Sequence, residues 1–249
     1  MTIPTDFNPP DCSLWEAMCW EPSAKQLEQF VSLQQLLAYF NSKVNLTRLL
    51  KGEDYWIGQV FDSLWPLKTE LKNPHKLRNC IDVGTGCGFP GLAIAISLPG
   101  TRLTLLDATS KKTTVLKKII TELGLTSRVN ILTERIEITG QNISYRGKFD
   151  LAMARAVAEA PIVAEYLIPL LKVDGEAFLY RGKWSQIEEQ SLLHALKTLK
   201  GKLKRVQRLE LPSKRGTRHM IRVEPKSRCP NIYPRPVGMP TKKPLGVMQ

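Results

Sequence analysis

Apolar positions along the chain change their period near residue 70. Between 24 and 42, Leu27, Phe30, Val31, Leu37 and Phe40 recur at helical spacing and predict an amphipathic helix. Asn41 to Thr47 breaks it. Asp54 to Leu67 predicts a second helix, with Ile57, Val60, Phe61 and Leu64 on one face and Pro66 near its end. Together they form an N-terminal helical cap within residues 1–70. Residues 1–23 hold four prolines with Trp15 and Trp20, and are expected to be loosely ordered. Beyond residue 70, short strand-like runs alternate with helix-length ones. Strands are predicted at 79–83, 102–107, 129–133 and 149–154, with helices at 89–98, 110–123 and 160–171. A fifth strand, 176–180, precedes a helix at 185–199 and two strands at 203–211 and 218–224 around the turn Ser213 to Gly216. This order predicts an α/β fold: a mostly parallel, seven-stranded sheet with helices on both faces and an antiparallel edge pair, spanning residues 71–224. Residues 225–249 are basic and proline-containing and read as an extended arm.

The densest signal is the stretch from Asp82 to Gly91. A short apolar run containing Asp82 meets Gly84, Gly86, Gly88 and Gly91, and an apolar helix-length run follows. This is strand, tight turn and helix, and such a helix start offers unpaired N–H groups and a partial positive charge. Gly86, Gly88 and Gly91 satisfy a dinucleotide fingerprint, which alone is weak. Taken as one unit, Asp82, Gly84, Gly86 and Gly88 resemble motif I of class I S-adenosylmethionine methyltransferases. In that reading a strand-end carboxylate meets the ammonium of a methionine moiety, which a dinucleotide lacks. The uncharged run Val83 to Thr101 is long, but its five glycines and two prolines make it a turn and core helix rather than a membrane span.

Ligands in open parallel sheets bind at the carboxyl ends of the strands. Asp107, after the second strand, lies 21 residues beyond Gly86, where a carboxylate reads ribose hydroxyls; it could equally cap the following helix. After the third strand comes Thr133 to Glu137. In a class I methyltransferase this loop flanks adenine, with Ile136 on the ring and Glu137 or the backbone at its edge. Arg155 ends the fourth strand and Arg181 and Lys183 follow the fifth, so basic groups gather at one rim above the cofactor, a match for an anionic substrate.

Charge adds a direction. The chain of 249 residues carries a formal net charge of +13. From Lys197 onward there are 15 Lys+Arg against 2 Asp+Glu, so all the excess lies in the last fifth of the chain. A polyanion, in particular nucleic acid, is the expected partner. Five cysteines lack C-x-x-C or His-paired spacing, so no metal is expected. With no export signal at the start of the chain, a reducing cytoplasm is the expected compartment.

No Asn-Pro-Pro-Tyr-like motif follows the fourth strand for exocyclic amine methylation, and no cysteine follows the fourth or fifth strand for C5 attack on pyrimidines. An acceptor that needs little acid–base help remains, and guanine N7 carries a free lone pair and no proton. Asn45-Leu46-Thr47, Asp62-Ser63, the run Asp82 to Gly91, Leu105 to Asp107, Arg135 with Glu137, Arg155-Ala156, and the tail Tyr233 to Leu245 together resemble the RsmG family, also called glucose-inhibited division protein B. That resemblance implies an S-adenosylmethionine-dependent guanine-N7 methyltransferase of 16S rRNA in the small ribosomal subunit. It implies cofactor contacts at Asp82, Gly84, Gly86, Phe89, Asp107, Ala108, Thr109, Ile136, Glu137 and Arg155, with Arg155 and Arg135 at the reacting base. It implies RNA contacts at Asn45, Lys111, Arg181, Lys183, Arg235, Lys242 and Lys243. Gln59 stands where members usually carry His, and Arg181 where they carry Lys. Two other classes stay open: an RNA-binding ribosome-assembly factor that keeps the fold without the chemistry, and a dinucleotide oxidoreductase.

Overall fold

The computed structural model describes residue 10 and residues 12–246. Seven strands form one sheet in the order β3-β2-β1-β4-β5-β7-β6. They are β1 Arg78–Val83, β2 Thr101–Asp107, β3 Val129–Thr133, β4 Phe149–Arg155, β5 Leu171–Arg181, β6 Gly201–Glu210 and β7 Thr217–Pro225. The first five are parallel, while β7 runs antiparallel to both β5 and β6. Strand order reverses between β1 and β4, which opens a crevice above their carboxyl ends.

Alternation along the strands divides the core in two. Cys80, Leu151, Met153, Phe178 and Tyr180 face one layer, and Ile81, Val83, Ala152, Ala154, Ala177 and Leu179 face the other. The first layer holds α1 Ser13–Met18, α2 Ala24–Asn41, the helical run Gly52–Leu71, α6 Gly91–Ser97 and α7 Ser110–Glu122. The second holds α8 Ile136–Gln141, α9 Ala160–Leu167 and α10 Gln186–Thr198. Within Gly52–Leu71 the segments are α3 Gly52–Tyr55, a π-turn Trp56–Phe61, α4 Asp62–Leu64, a 3-10 turn Trp65–Leu67 and α5 Lys68–Leu71. Ser23 starts α2 with a reciprocal capping box to Gln26. Every residue of α6 is buried, as its uncharged sequence requires.

Several elements depart from expectation. The segment expected to be loose before residue 23 contains α1, because Leu14, Trp15 and Met18 insert into the core and Trp15 stacks edge-on against Trp56. The part of that expectation falling on residues 1–9 and 11 lies outside the described residues. The second helix of the cap is interrupted by the π-turn rather than regular. The helix predicted through 171 ends at Leu167, and β5 begins at Leu171, five residues early. Ile136 and Glu137, expected in the loop after the third strand, instead start a short helix over Ile136–Gln141.

The tail is the largest correction. Residues 226–246 lie back on the second layer rather than extending. Arg146 donates to the carbonyls of Gly140, Cys229, Pro230 and Tyr233. Arg235 closes a fork on Glu165, whose side chain is fully buried. The short helix α11 Met239–Lys242 follows.

Candidate active site

The turn after β1 is built around a buried acid. Asp82 Oδ2 accepts from Thr85 Oγ1 at 2.6 Å and from Gly91 N at 2.9 Å. A Cβ on Gly91 would sit 2.4 Å from Leu105 and 2.8 Å from that same oxygen, so only glycine lets the helix start approach the carboxylate. Burial pushes the Asp82 carboxyl up to about 6. Asp82 is completely buried and lines neither cavity described below. Its work is to shape the turn, and the direct ammonium contact expected of it is not offered by this placement.

Gly84 has φ +68°, and a Cβ there would lie 2.6 Å from Val157 Cγ2. It is the shared wall of two cavities. The smaller, about 370 Å³, lies over the ends of β2 and β3 and is lined by Asp107, Ala108, Thr109, Arg135, Ile136, Tyr166 and Thr241, among others. Asp107 is positioned by two backbone donors: Gly86 N on Oδ2 at 3.0 Å and Thr109 N on Oδ1 at 2.8 Å. Each oxygen retains a lone pair for a further donor from the cavity. The residue at the start of α7 is Thr109, so Asp107 is not its cap.

The larger cavity, about 560 Å³, lies over β1, β4 and β5 beneath the cap. Arg155 is its central group. Nη1 donates to Gly58 O at 3.0 Å and reaches Asp62 Oδ2 at 3.4 Å, while Nη2 donates to Gln59 Oε1 in a short contact. The guanidinium carbon lies 5.8 Å from the Phe89 ring centroid. The π-turn carries Gly58 and Gln59 to this point. Gln59 Nε2 in turn donates to Thr47 Oγ1 at 3.0 Å, tying the 43–49 segment into the site. Asp62 is shared with Arg218 Nε at 3.3 Å, and its second oxygen is buried and unpaired. Tyr180, at the end of β5, donates to Ser63 O, and burial raises its phenol well above the ordinary value.

Of the expected site residues, Gly84, Gly86, Phe89 and Arg155 meet in the larger cavity and Asp107, Ala108, Thr109, Ile136 and Arg135 in the smaller. Arg135 and Arg155 therefore stand in different cavities rather than together. Glu137 is turned away from both: its Oε1 accepts from Gly238 N at 3.0 Å and from Arg135 at 3.2 Å. Burial pushes that carboxyl up, but these donors outweigh it and hold it below the usual range. Arg181 reaches the larger cavity but is bound to Ala158 O and to Glu188 at 2.6 Å. Arg235 belongs to Glu165. Asn45, Lys111, Lys183, Lys242 and Lys243 are exposed. Gln59, Asp62, Arg218 and Thr241 join the site without being among the expected site residues; the sequence draws attention to Gln59 and Asp62 through the family resemblance, and no spacing rule reaches Arg218 or Thr241.

A family model described as rRNA small subunit methyltransferase G matches residues 26–221. The ribosomal RNA small subunit methyltransferase G of Synechococcus sp. (strain CC9902) is 56% identical over 95% of this chain and 98% of its own. Its namesake in Parasynechococcus marenigrum (strain WH8102) is 55% identical over 95% and 96%. Among solved structures, an O-methyltransferase from Bacillus cereus in complex with SAH aligns with a TM-score of 0.55 at 17% identity, covering 77% of this chain and 89% of that one. A branched-chain polyamine synthase from Thermus thermophilus aligns with a TM-score of 0.56 at 15% identity, over 81% and 65%. At those identities the likeness is one of fold.

Proposed function

The chain belongs to the rRNA small subunit methyltransferase G family, and from that premise we propose that it methylates N7 of a guanine in 16S rRNA, using S-adenosylmethionine. The observation that carries this reading is the pair of cavities meeting at Gly84, one suited to a nucleoside and one to a planar base under an arginine. When bound, S-adenosylmethionine supplies a sulfonium methyl that the N7 lone pair takes as the carbon–sulfur bond breaks, leaving a thioether and a cationic purine. In the smaller cavity Asp107 accepts from ribose hydroxyls and Ile136 packs on the adenine ring. In the larger, Arg155 is fixed by Gly58, Gln59 and Asp62 and keeps N–H groups to donate to guanine O6, which orients the base and leaves N7 free. No residue needs to take a proton from N7, so a site built of aligned donors and a water-excluding cap is chemically sufficient. Asp62 offsets part of the positive charge of Arg155 and Arg218 beside the purine as that purine becomes cationic. The target base is unpaired or splayed, because a regular RNA helix hides N7 in its narrow deep groove.

Transfer of labelled methyl from S-adenosylmethionine to small-subunit rRNA, followed by nucleoside analysis, tests the reading. The expected product is 7-methylguanosine alone. Methyl on another position, or binding of S-adenosylmethionine with no transfer to rRNA, overturns it.

A further inference from the structure

A third cavity, about 570 Å³, lies outside the site described above, between the end of α2 and the outer face of α7. Its floor is apolar: Leu36, Phe40, Val44 and Val115. Its rim carries Lys43, Lys117 and Lys118 against one acid, Glu122. Two of these lysines lie over aromatic rings. Lys43 Nζ sits 4.4 Å from the centroid of Tyr39 and donates to its hydroxyl at 2.9 Å, and Lys118 Nζ lies 6.0 Å from that of Phe40. None of the three lysines pairs with a carboxylate among the described residues.

Two elements line both the groove and the larger cavity. The segment that leaves α2 lines the groove at Lys43 and Val44 and the catalytic cavity at Leu46, Thr47 and Leu49. Helix α7 lines the catalytic cavity at Lys112 and the groove from Thr114 to Glu122. Six residues of helix separate Lys112 from Lys118, about 9 Å, or a step of one to two nucleotides along an extended strand. An apolar floor with ring faces and an ammonium rim is what a sequence-tolerant single strand binds, by base stacking and phosphate contact.

We propose that this groove holds the unpaired rRNA strand flanking the target guanine. The proposal rests on the reading of the chain as an rRNA methyltransferase. Bases lie against the Tyr39 and Phe40 side of the groove, and Lys43, Lys117 and Lys118 meet phosphates. Glu122 closes the groove at its far end.

The test uses the full chain and naked 16S rRNA, with affinity measured across a salt series and methyl transfer measured at saturating RNA. Lys117→Gln with Lys118→Gln is expected to weaken rRNA binding about tenfold at low salt and to reduce the slope of log K against log salt by about 1.4, since each single-strand phosphate contact contributes roughly 0.7. KM for rRNA should rise while kcat and the S-adenosylmethionine Kd stay unchanged. Tyr39→Ala should weaken binding without altering the salt slope, and Tyr39→Phe should restore it. Unchanged affinity and slope in the lysine variant overturn the proposal. An unaffected Tyr39→Ala overturns it in favour of diffuse surface charge. Loss confined to assembled subunits, with naked rRNA unaffected, overturns it in favour of a ribosomal protein. Wild-type chain that binds rRNA but transfers no methyl refutes the proposed reaction, while the binding series still decides the groove.

Discussion

At the scale of single residues the site is an exercise in holding charges still. Arg155 answers three acceptors from the cap; its loss would strand Gly58 O and Gln59 Oε1 and leave the Asp62 carboxylate to Arg218 alone. Arg155→Lys keeps the charge but not the planar fork. It is expected to lower kcat by about 10²–10³, the effect of losing one aimed donor, with little change in S-adenosylmethionine affinity; single-turnover methyl transfer checks it. Arg155→Ala should additionally cost about 1–3 kcal/mol of stability by leaving those acceptors unmet. Asp82 poses a different problem. Its folded value of about 6 lies above the ordinary 3.8, so folding favours its protonated form. That increment of stability is complete below about 3.8 and is lost as pH rises through about 6. Asp82→Asn keeps one oxygen for Thr85 and Gly91 and cannot titrate. Its melting temperature at neutral pH should equal or exceed that of the native chain, and this part of the acid-side rise in stability should vanish. A pH profile parallel to the native one would mean that another group titrates. Affinity for S-adenosylmethionine in the same variant separates a turn-builder, which leaves it nearly unchanged, from an ammonium ligand, which does not.

At the scale of elements, the tail is part of the smaller cavity, the one proposed to hold the nucleoside. Thr241 lines that cavity, Gly238 N holds Glu137, and Tyr166 hydroxyl lies between Glu137 and Thr241 at 3.5 and 3.4 Å. A chain ending at Pro225 is therefore expected to bind S-adenosylmethionine at least about tenfold more weakly, about 1.4 kcal/mol, by calorimetry. Arg235→Ala should destabilise by about 3 kcal/mol, because Glu165 is left buried without its cation, whereas Lys242→Ala and Lys243→Ala should stay within about 0.5 kcal/mol. Equal losses in all three would make the tail a charge reservoir rather than a clasp. The elements that sequence reasoning recovers are those whose cause is local. The glycine turn, the alternation of β1 to β5 and the antiparallel pair β6–β7 all follow from short-range pattern. The tail does not, because it is held by Arg146 reaching carbonyls more than 80 residues away, and isolated prolines and cations look the same in an arm as in a clasp. The π-turn is equally silent: Trp56 to Phe61 is apolar enough for an ordinary helix, and only packing reveals the wider turn that delivers Gln59. The Glu137 side chain departs from expectation for a related reason. Its position after β3 is legible, but the α8 turn points its carboxylate at Gly238 rather than into the cavity.

At the scale of the whole molecule, a net charge of +13 says less about RNA than where the unpaired part of it lies. Much of the C-terminal excess is already engaged: Lys202, Lys204, Arg208, Arg215, Arg218, Arg222 and Arg235 all sit in ion pairs. Such cations have little to gain from a phosphate until a carboxylate is released. The sheet then sorts the free ones by position. Arg181 pairs across to His219, so the β6–β7 hairpin turn stands at the catalytic mouth, while Gly201 opposite Pro225 marks the other end. Lys183 and Lys214 are exposed near the mouth and Lys200 and Lys226 at the far end, and none of the four sits in an ion pair among the described residues. Removing either pair changes the net charge by the same amount, so a mean-field attraction predicts equal effects. Local contact predicts otherwise. Lys183→Gln with Lys214→Gln should lower the slope of log K against log salt for rRNA by about 1.4, and Lys200→Gln with Lys226→Gln should leave it within experimental scatter. Equal losses in the two double variants would place the attraction in the field of the whole chain and remove the mouth from the account of how the guanine is delivered.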